Sequence, residues 1–491
     1  MSATLSAPTL DYAPPPITGL RRRTAMAASW TLVGYGTSQV LRMGSNMILT
    51  RILFPQAFGT MALVSIFING LGMFSDVGIG PSIIRAHRGD DPLFLNTAWT
   101  IQVMRGFVLW LASVAIAWPV ARLYHEPSFI WMIPLVGLTA VISGFNSTRL
   151  FTLSRELMLG RLTMIELISQ VSSMTITIAW AWLSPSVIAL AMGGITGSAV
   201  KATLSFLWLP GIRNGFAWDK SSLAALRSFG KWIFISTMLT FLVGQADRLI
   251  LGKLVPLDLL GVYSIAMMMA LVPTQAIVRV AGPITMSVYS QSFRKSFEHL
   301  RTDFSRMRFP ITMAGGWAVS LMIVTAPWLM HTLYDHRYAQ AGWMIQLIVI
   351  AVWFEILETT NGSALLAMGQ PRWIAMGNAA KLCGMVALVP LGFHFGGFAG
   401  AIIGLISAEL MRYLANAIAV RRQGLHSLGS DMFACAMVAG TSLAVLYLGQ
   451  LLRDRLHWHP AAVILLSIAL ISTAWAPMAV KFLKIIRPAA V

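Results

Sequence analysis

The sequence predicts an all-α integral membrane protein of about fourteen transmembrane helices: two pseudo-symmetric six-helix bundles around a central cavity, plus two C-terminal helices. Three observations lead there. The 491-residue chain is 57% hydrophobic and 11% charged, with a mean hydropathy of +0.72, whereas soluble domains carry about 25% charged residues. Apolar runs of about 20 residues recur, among them WTLVGYGTSQVLRMGSNMILT and AAVILLSIALISTAWAPMAV, and helices of that length cross hydrocarbon with every backbone group satisfied internally. A phrase near the start also returns near the middle: RILFPQAFG begins at Arg51 and KLVPLDLLG at Lys253, 202 residues later. The alternating ten-residue strands of a membrane barrel are absent from the sequence.

The elements follow in order. Residues 1–23, rich in Pro and Ala and without the basic start and apolar core of a signal peptide, read as a disordered cytoplasmic tail. Expected spans run 24–50, 57–83, 95–121, 127–149, 161–183 and 186–209, which form an N-terminal bundle over 24–209. A cytoplasmic linker, 210–229, leads to spans 230–253, 259–287, 307–332, 340–366, 372–394 and 397–420, a second bundle over 230–420. Spans 431–452 and 460–482 are the two extra helices.

The internal repeat supports this division. At an offset of 202, Trp30 matches Trp232, Ile48 and Leu49 match Ile250 and Leu251, Gly59 matches Gly261, and Gly80-Pro81 matches Gly282-Pro283. Six helices separate the copies, so both enter from the same side and are parallel repeats about an axis along the membrane normal.

Net charge is +18, which directs attention to nucleic acid until the bases are placed. With fourteen spans, 23 of the 36 Lys and Arg fall on one side, six on the other and seven inside helices. The positive-inside rule makes the richer side, with both termini, cytoplasmic. The basicity is topological, and no nucleic-acid partner is expected. Cys383 and Cys435 lie in apolar runs as packing residues, without zinc-ligand spacing.

Seven bases interrupt the apolar runs: Arg42, Arg105, Lys201, Arg248, Arg279, Lys381 and Arg412. Six acids join them: Asp76, Glu166, Asp247, Glu355, Glu358 and Glu409. Each costs roughly 2.5 to 3.5 kcal/mol at a helix centre, so each should face a cavity or a partner. Helical spacing gathers several into polar stripes, including Tyr35, Ser38, Arg42 and Ser45; Ser65, Asn69, Gly72 and Asp76; Glu166, Gln170, Ser173 and Thr177; Thr237, Thr240, Gly244 and Asp247. Gln275, Arg279 and Gly282, then Glu355, Glu358 and Gly362, then Glu409, Arg412 and Asn416 continue the pattern. Stripes on so many helices imply a wet, charged interior.

Structural roles stand beside functional ones. Asp247 and Arg248 are adjacent, hence about 100° apart, so one of them should pair with a neighbouring helix. Glu409 and Arg412 have the spacing to neutralise each other. Lys201 and Arg105 either snorkel towards headgroups or line the cavity. Arg42 and Arg279 have no acid on their own stripes and are the foremost candidates for gripping an anion. The acids are candidates for structural pairing or for coupling to protons or sodium; no other cofactor and no metal centre is expected. The sequence contains no phosphate-binding GxxxxGK[ST] loop and no large extramembrane module in which to place a catalytic site.

LTRILFPQAFGTMALVSIFINGLGMFSDVGIGPSIIR resembles the first-hairpin signature of the polysaccharide transporter family: a base and two aliphatics, a Pro-containing turn ending in Phe-Gly, then an aromatic-Ser-Asp-aliphatic-Gly element. RLFTLSRELMLGRLTMIE resembles that family's basic link between helices 4 and 5. QADRLILGKLVPLDLLGVYSIAMMMALVP resembles its helix 7 to 8 signature, with Asp247, Arg248, Gly252, Lys253, Gly261 and Tyr263. The resemblance covers most of residues 24–290. It implies a Wzx-type flippase of the multidrug/oligosaccharidyl-lipid/polysaccharide exporter superfamily, not an enzyme, residing in the bacterial inner membrane. Its expected cargo is an undecaprenyl-diphosphate-linked oligosaccharide, moved without ATP by alternating access for exopolysaccharide, capsule or O-antigen assembly. Membrane lipid, a polysaccharide polymerase and glycosyltransferases are the implied partners. A lipid II flippase or a multidrug antiporter of the same superfamily, or a polysaccharide polymerase or ligase, are the alternatives.

Overall fold

The computed structural model describes residues 20–75, 78–85, 90–156, 158–456 and 458–486. Asp76, most of the expected N-terminal tail, and His87, Arg88, His457 and Arg487 lie outside the described residues, as do the side chains of Arg21, Arg22, Arg23 and Thr237. The regular structure among the described residues is all helical, with no strand among them. In chain order they form α1 (Leu20–Ile52), α2 (Pro55–Phe74), α3 (Ile79–Arg85), α4 (Pro92–Tyr124), α5 (Phe129–Gly144), α6 (Arg149–Arg155), α7 (Leu159–Leu183) and α8 (Val187–Leu207). After the linker come α9 (Lys220–Leu254), α10 (Leu257–Ala270), α11 (Val272–Lys295), α12 (Phe297–Leu333), α13 (Ala341–Ala367), α14 (Pro371–Arg422), α15 (Leu428–Leu456) and α16 (Pro460–Ile486).

Local chemistry sets the boundaries. Pro55 opens α2 at a position where its missing N–H costs nothing. Asp91 caps α4, its carboxylate accepting from the Leu93 N–H at 3.0 Å, with Pro92 next. Ser296 separates α11 from α12 and accepts from the His299 N–H at 3.2 Å. α14 is two helical arms joined at Gly396 and Gly397, where Gly397 has φ +57° and ψ −145°. Only glycine enters that region readily. Beyond the bend the arms run side by side, with Gly384 against Ala408 and Gly404 against Leu388.

Ten of these segments are long and apolar enough to cross a membrane, or eleven if α5 and α6, bent by 62°, make one span. The expected fourteen exceeds that. α14 passes as a single 52-residue helix despite its bend, and α1 and α9 are not among those that pass.

α1 and α2 are joined at what we call the far face; the start of α1 marks the near face. At the far face the two repeats meet. α2 packs on α10 and α9, and the matched glycines come together there. A Cβ on Gly59 would lie 2.9 Å from the carbonyl carbon of Leu257 and 3.0 Å from the Gly261 nitrogen; one on Gly261 would lie 2.7 Å from the carbonyl carbon of Pro55 and 3.0 Å from the Gly59 nitrogen. The contact is thus reciprocal, as a two-fold relation between repeats requires.

Further groups close the same face. Arg337 donates to the Thr50 and Arg51 carbonyls at 3.1 and 3.0 Å and to Asp335 Oδ1 at 2.7 Å, while its guanidinium lies 5.0 Å from the Phe54 ring centre. Tyr338, fully buried, stacks edge-on against Phe58 at 5.9 Å. Lys253 donates to the Leu123 carbonyl, and Tyr124 donates to that of Leu249 at 3.1 Å.

α15 and α16 pack on α12. Arg308 and Asp431 pin them: Nε to Oδ1 at 3.0 Å and Nη2 to Oδ2 at 2.7 Å, both side chains buried. Tyr413 donates to the same carboxylate at 2.6 Å, and Arg308 also donates to Asn361 Oδ1 at 2.8 Å and to Thr360. Arg308 is the second residue of the expected span 307–332, at its cytoplasmic edge; α12 instead begins at Phe297, which carries Arg308 into a packed interior. Cys435 packs against Trp353, as expected of a packing residue, whereas Cys383 is exposed on the outside of α14.

Candidate functional site

Two adjoining cavities open between the helices. The first, about 920 Å³, is lined by α1, α6, α7, α11 and one residue of α13. Its lining runs from the near-face groups Thr31, Ser154 and Leu159 and goes no further along α1 than Arg42. The second, about 860 Å³, lies among α2 to α8 of the N-terminal half and is closed on one side by Phe241 and Gln245 of α9 from the second half. Ser154, Leu162 and Glu166 line both, so the two volumes share a wall.

The first cavity is built on the stripes read from the sequence. Tyr35, Ser38 and Arg42 reach it from α1, Glu166 and Gln170 from α7, Gln275 and Arg279 from α11, and Glu355 from α13. These side chains hold one another. Ser38 donates to Gln170 Oε1 at 2.6 Å, and Gln170 returns a bond to the Ser38 carbonyl at 2.9 Å. The Tyr35 hydroxyl donates to Gln275 Oε1 at 3.1 Å, and Gln39 Nε2 donates to that hydroxyl at 3.0 Å. This mesh fixes the Tyr35 ring beneath the Arg279 guanidinium, 4.2 Å from its centre, a contact worth about 0.5–1 kcal/mol in an open site. Arg42 and Arg279 are both exposed to the cavity, and among the described residues no carboxylate pairs with either. Two bases with donors to spare, beside amide and hydroxyl groups, form a receptor for a multiply charged oxyanion.

Arg105 and Lys201 line the second cavity. Arg105 is engaged there, donating to Ser75 Oγ at 2.9 Å and to the Gly72 carbonyl at 2.5 Å. Lys201 lies 3.6 Å from Glu166, an ion pair on the wall between the cavities. Asn69, Gln102, Asn146 and Gln245 supply neutral polar groups around them.

The remaining candidates separate. Asp247 is buried and accepts from the Tyr263 hydroxyl at 2.7 Å, tying α9 to α10. Arg248 points elsewhere, donating to Gln245 at 3.2 Å, and lines neither cavity. In the C-terminal half, Lys381, Glu409, Arg412 and Glu358 form one ionic cluster across α13 and α14. Lys381 pairs with Glu409 at 2.6 Å, Arg412 with Glu409 and, at 3.8 Å, with Glu358, and Asn416 donates to Glu358 at 2.7 Å. Glu355, one turn from Glu358, is the acid that turns into the first cavity. Arg308 and Asp431, missed as an interior pair, carried only one signal in the sequence: a base and an acid each at the edge of an apolar run. Among the described residues no group of His, Cys, Asp and Glu is arranged to hold a metal ion.

A family model described as "Polysaccharide biosynthesis protein" matches residues 48–342. The chain is similar to the lipopolysaccharide biosynthesis protein WzxC of Escherichia coli (strain K12), with 21% identity over 80% of each chain. It is also similar to the amylovoran biosynthesis protein AmsL of Erwinia amylovora, with 23% identity over 54% of this chain and 68% of the other. Among solved structures it superposes on the lipid II flippase MurJ in an inward closed conformation, with a TM-score of 0.68 and 12% identity over 93% of this chain and 99% of that one. The match over residues 48–342, which takes in the whole lining of the second cavity and the α6, α7 and α11 walls of the first, places this chain in the polysaccharide biosynthesis protein family of integral membrane proteins.

Proposed function

We propose that this chain moves a lipid-linked oligosaccharide bearing a diphosphate across the bacterial inner membrane by alternating access, for exopolysaccharide, capsule or O-antigen assembly. The observation that carries the reading is the pair of acid-free bases, Arg42 and Arg279, in a polar cavity that reaches the near face while Gly59 and Gly261 seal the far one. A diphosphate presents oxygens to both guanidiniums at once, and each charge-assisted bond is roughly twice as strong as a neutral one. The isoprenoid tail stays in lipid. Glycan hydroxyls meet the amides of the adjoining cavity, with Lys201 and Arg105 beside them for sugar carboxylates.

Opening to the other side requires separation of the α2–α10 contact and closure of the near face. No bond in the cargo is made or broken, so the protein acts as a carrier and not an enzyme. Residues 24–209 and 230–420 are the two moving bundles, linked by 210–229, and 431–482 ride on the second. Both termini are cytoplasmic, which makes the near face cytoplasmic by the distribution of Lys and Arg. Glu355, facing the cavity beside the cluster of Glu358, Lys381, Glu409 and Arg412, is the acid assigned to coupling with protons or sodium. WzxC and AmsL, named for lipopolysaccharide and amylovoran biosynthesis, support a polysaccharide precursor as cargo, as do the three signature stretches in the sequence. Polymerase and glycosyltransferases are the partners such a carrier serves.

Complementation tests this. In hosts that lack a flippase for a defined repeat unit, wild type should restore surface polysaccharide, and Arg42→Ala or Arg279→Ala, at matched membrane expression, should lower it at least tenfold. Restoration by both variants at wild-type levels would reject the anion site. Failure of wild type in hosts of several repeat-unit types would reject the cargo.

A further inference from the structure

A third opening, about 520 Å³, lies at the far face where α12, α13, α15 and α16 meet, remote from the central cavities. Its character is two-sided. Val324, Leu446, Val463 and Ile464 make most of the wall between the helices, where Gln346 and Ser467 donate to the Ile323 and Val463 carbonyls at 2.7 Å each, while Gln450, His331 and Arg453 stand towards the helix ends. Arg453 Nε donates to the Gly449 carbonyl at 3.3 Å, which holds the side chain back along α15, and among the described residues no carboxylate pairs with the guanidinium. His331 likewise has no hydrogen-bond partner among them. Pro460, first residue of the 27-residue α16, lines the same opening, so the positive end of that helix adds to the field of the two bases. Trp328 lines it too, and a Trp at a span's end marks the headgroup level of a bilayer.

A base at the edge of hydrocarbon, with apolar walls descending beside it, matches one chemistry: a phosphate with a hydrocarbon chain attached. We propose that this opening binds a net-anionic, phosphate-bearing lipid, its phosphate held by Arg453 and His331 and one chain laid along Val324, Leu446, Val463 and Ile464. The lipid would join the α15–α16 pair to α12 and α13 at the far face, opposite the Arg308–Asp431 pin at the near ends of α12 and α15. Two sources share this chemistry, a glycerophospholipid and a polyprenyl phosphate. The proposal is independent of what the central cavity carries.

Native mass spectrometry of the full-length, detergent-purified protein decides it, with phosphatidylglycerol, phosphatidylcholine and a polyprenyl monophosphate added in turn. Wild type should retain one phosphatidylglycerol or one polyprenyl phosphate through activation, and phosphatidylcholine about tenfold less. Arg453→Gln should reduce retention of the anionic lipid about tenfold and His331→Gln severalfold, while Arg453→Lys keeps most of it and Arg455→Gln, outside the opening, changes nothing. The better retained anion identifies the source. Equal retention of phosphatidylcholine, or wild-type retention by Arg453→Gln in monodisperse protein, would overturn the proposal.

Discussion

Replacing Gly59 by alanine drives a methyl group into the Leu257 carbonyl oxygen and sets it 2.9 Å from that carbonyl's carbon and 3.0 Å from the Gly261 nitrogen. Carbon atoms in good contact stand about 3.5–4.0 Å apart, and the oxygen overlaps further still, so α2 and α10 must part by more than about 1 Å at the point where the far face is sealed. The obstacles are backbone atoms of a helix start and cannot rotate away as a side chain would. Overpacking of this kind costs about 1–3 kcal/mol. A conformation open at the far face does not contain the contact and escapes that cost, so 2 kcal/mol shifts the balance towards it about 30-fold.

The assay is thiol accessibility. With Cys383 and Cys435 replaced by alanine, a reporter Leu53→Cys, at a position 1% exposed in the sealed face, is labelled by a membrane-impermeant maleimide. Gly59→Ala should raise the labelling rate about 30-fold, and Gly261→Ala, whose methyl meets Pro55 reciprocally at 2.7 Å, should match it. The double variant should fall short of the product, because both methyls push on one contact. Gly282→Ala, with nothing within 4 Å of its new methyl, is the control. Unchanged labelling in both single variants, in protein that elutes as wild type, would refute the Gly59–Gly261 seal.

Further expectations follow from the same structure. Arg308→Ala leaves the Asp431 carboxylate buried without its partner and should lose about 3–5 kcal/mol, read as a fall in melting temperature; Arg308→Met with Asp431→Leu should recover much of it, since no lone charge remains. Gly397→Ala forces a Cβ into a backbone with φ +57° and ψ −145°, which only glycine adopts freely, at about 1–3 kcal/mol, and should lower the melting temperature while Gly396→Ala, at φ −131°, does so less. Asp335, in the far-face loop, is held below the usual carboxylate range chiefly by its hydrogen bond from Arg337. Its folded pKa is depressed, so its contribution is complete above the unfolded value of about 3.9 and fades only as pH falls through the folded one. Leu53→Cys labelling, divided at each pH by that of a fully exposed reference thiol to remove the thiolate's own pH dependence, should therefore be flat from about pH 5.5 to 8; a rise of that ratio across the window would show that another group holds the face closed.

Much of this protein is legible because a membrane leaves the chain few choices. The span expected at 340–366 is α13, Ala341–Ala367, and the break expected between 394 and 397 is the bend at Gly396–Gly397. The polar stripe Tyr35, Ser38, Arg42 and the stripe Gln275, Arg279 line one cavity, since residues three and four apart must share a helix face. The predicted neutralisation of Glu409 by Arg412 is present, again a matter of spacing within one helix. What spacing could not supply is any partner on another element. Glu355 and Glu358 read as one stripe, yet one turns into the cavity and the other into the ionic cluster. Lys381 finds Glu409 only because α14 doubles back on itself.

The sequence alone determined that the chain is an all-helical protein of many membrane spans, the recurrence of the first hairpin, and the charges that have to be sheltered, because hydrophobicity and helical period act over a few turns. Tertiary structure decided which of those charges neutralise one another and which remain for a ligand. It also decided that Gly59 and Gly261, matched in the repeat, would touch. These depend on how helices far apart in sequence are brought side by side, and the distances that settle an ion pair or a closed face exist only once they have packed.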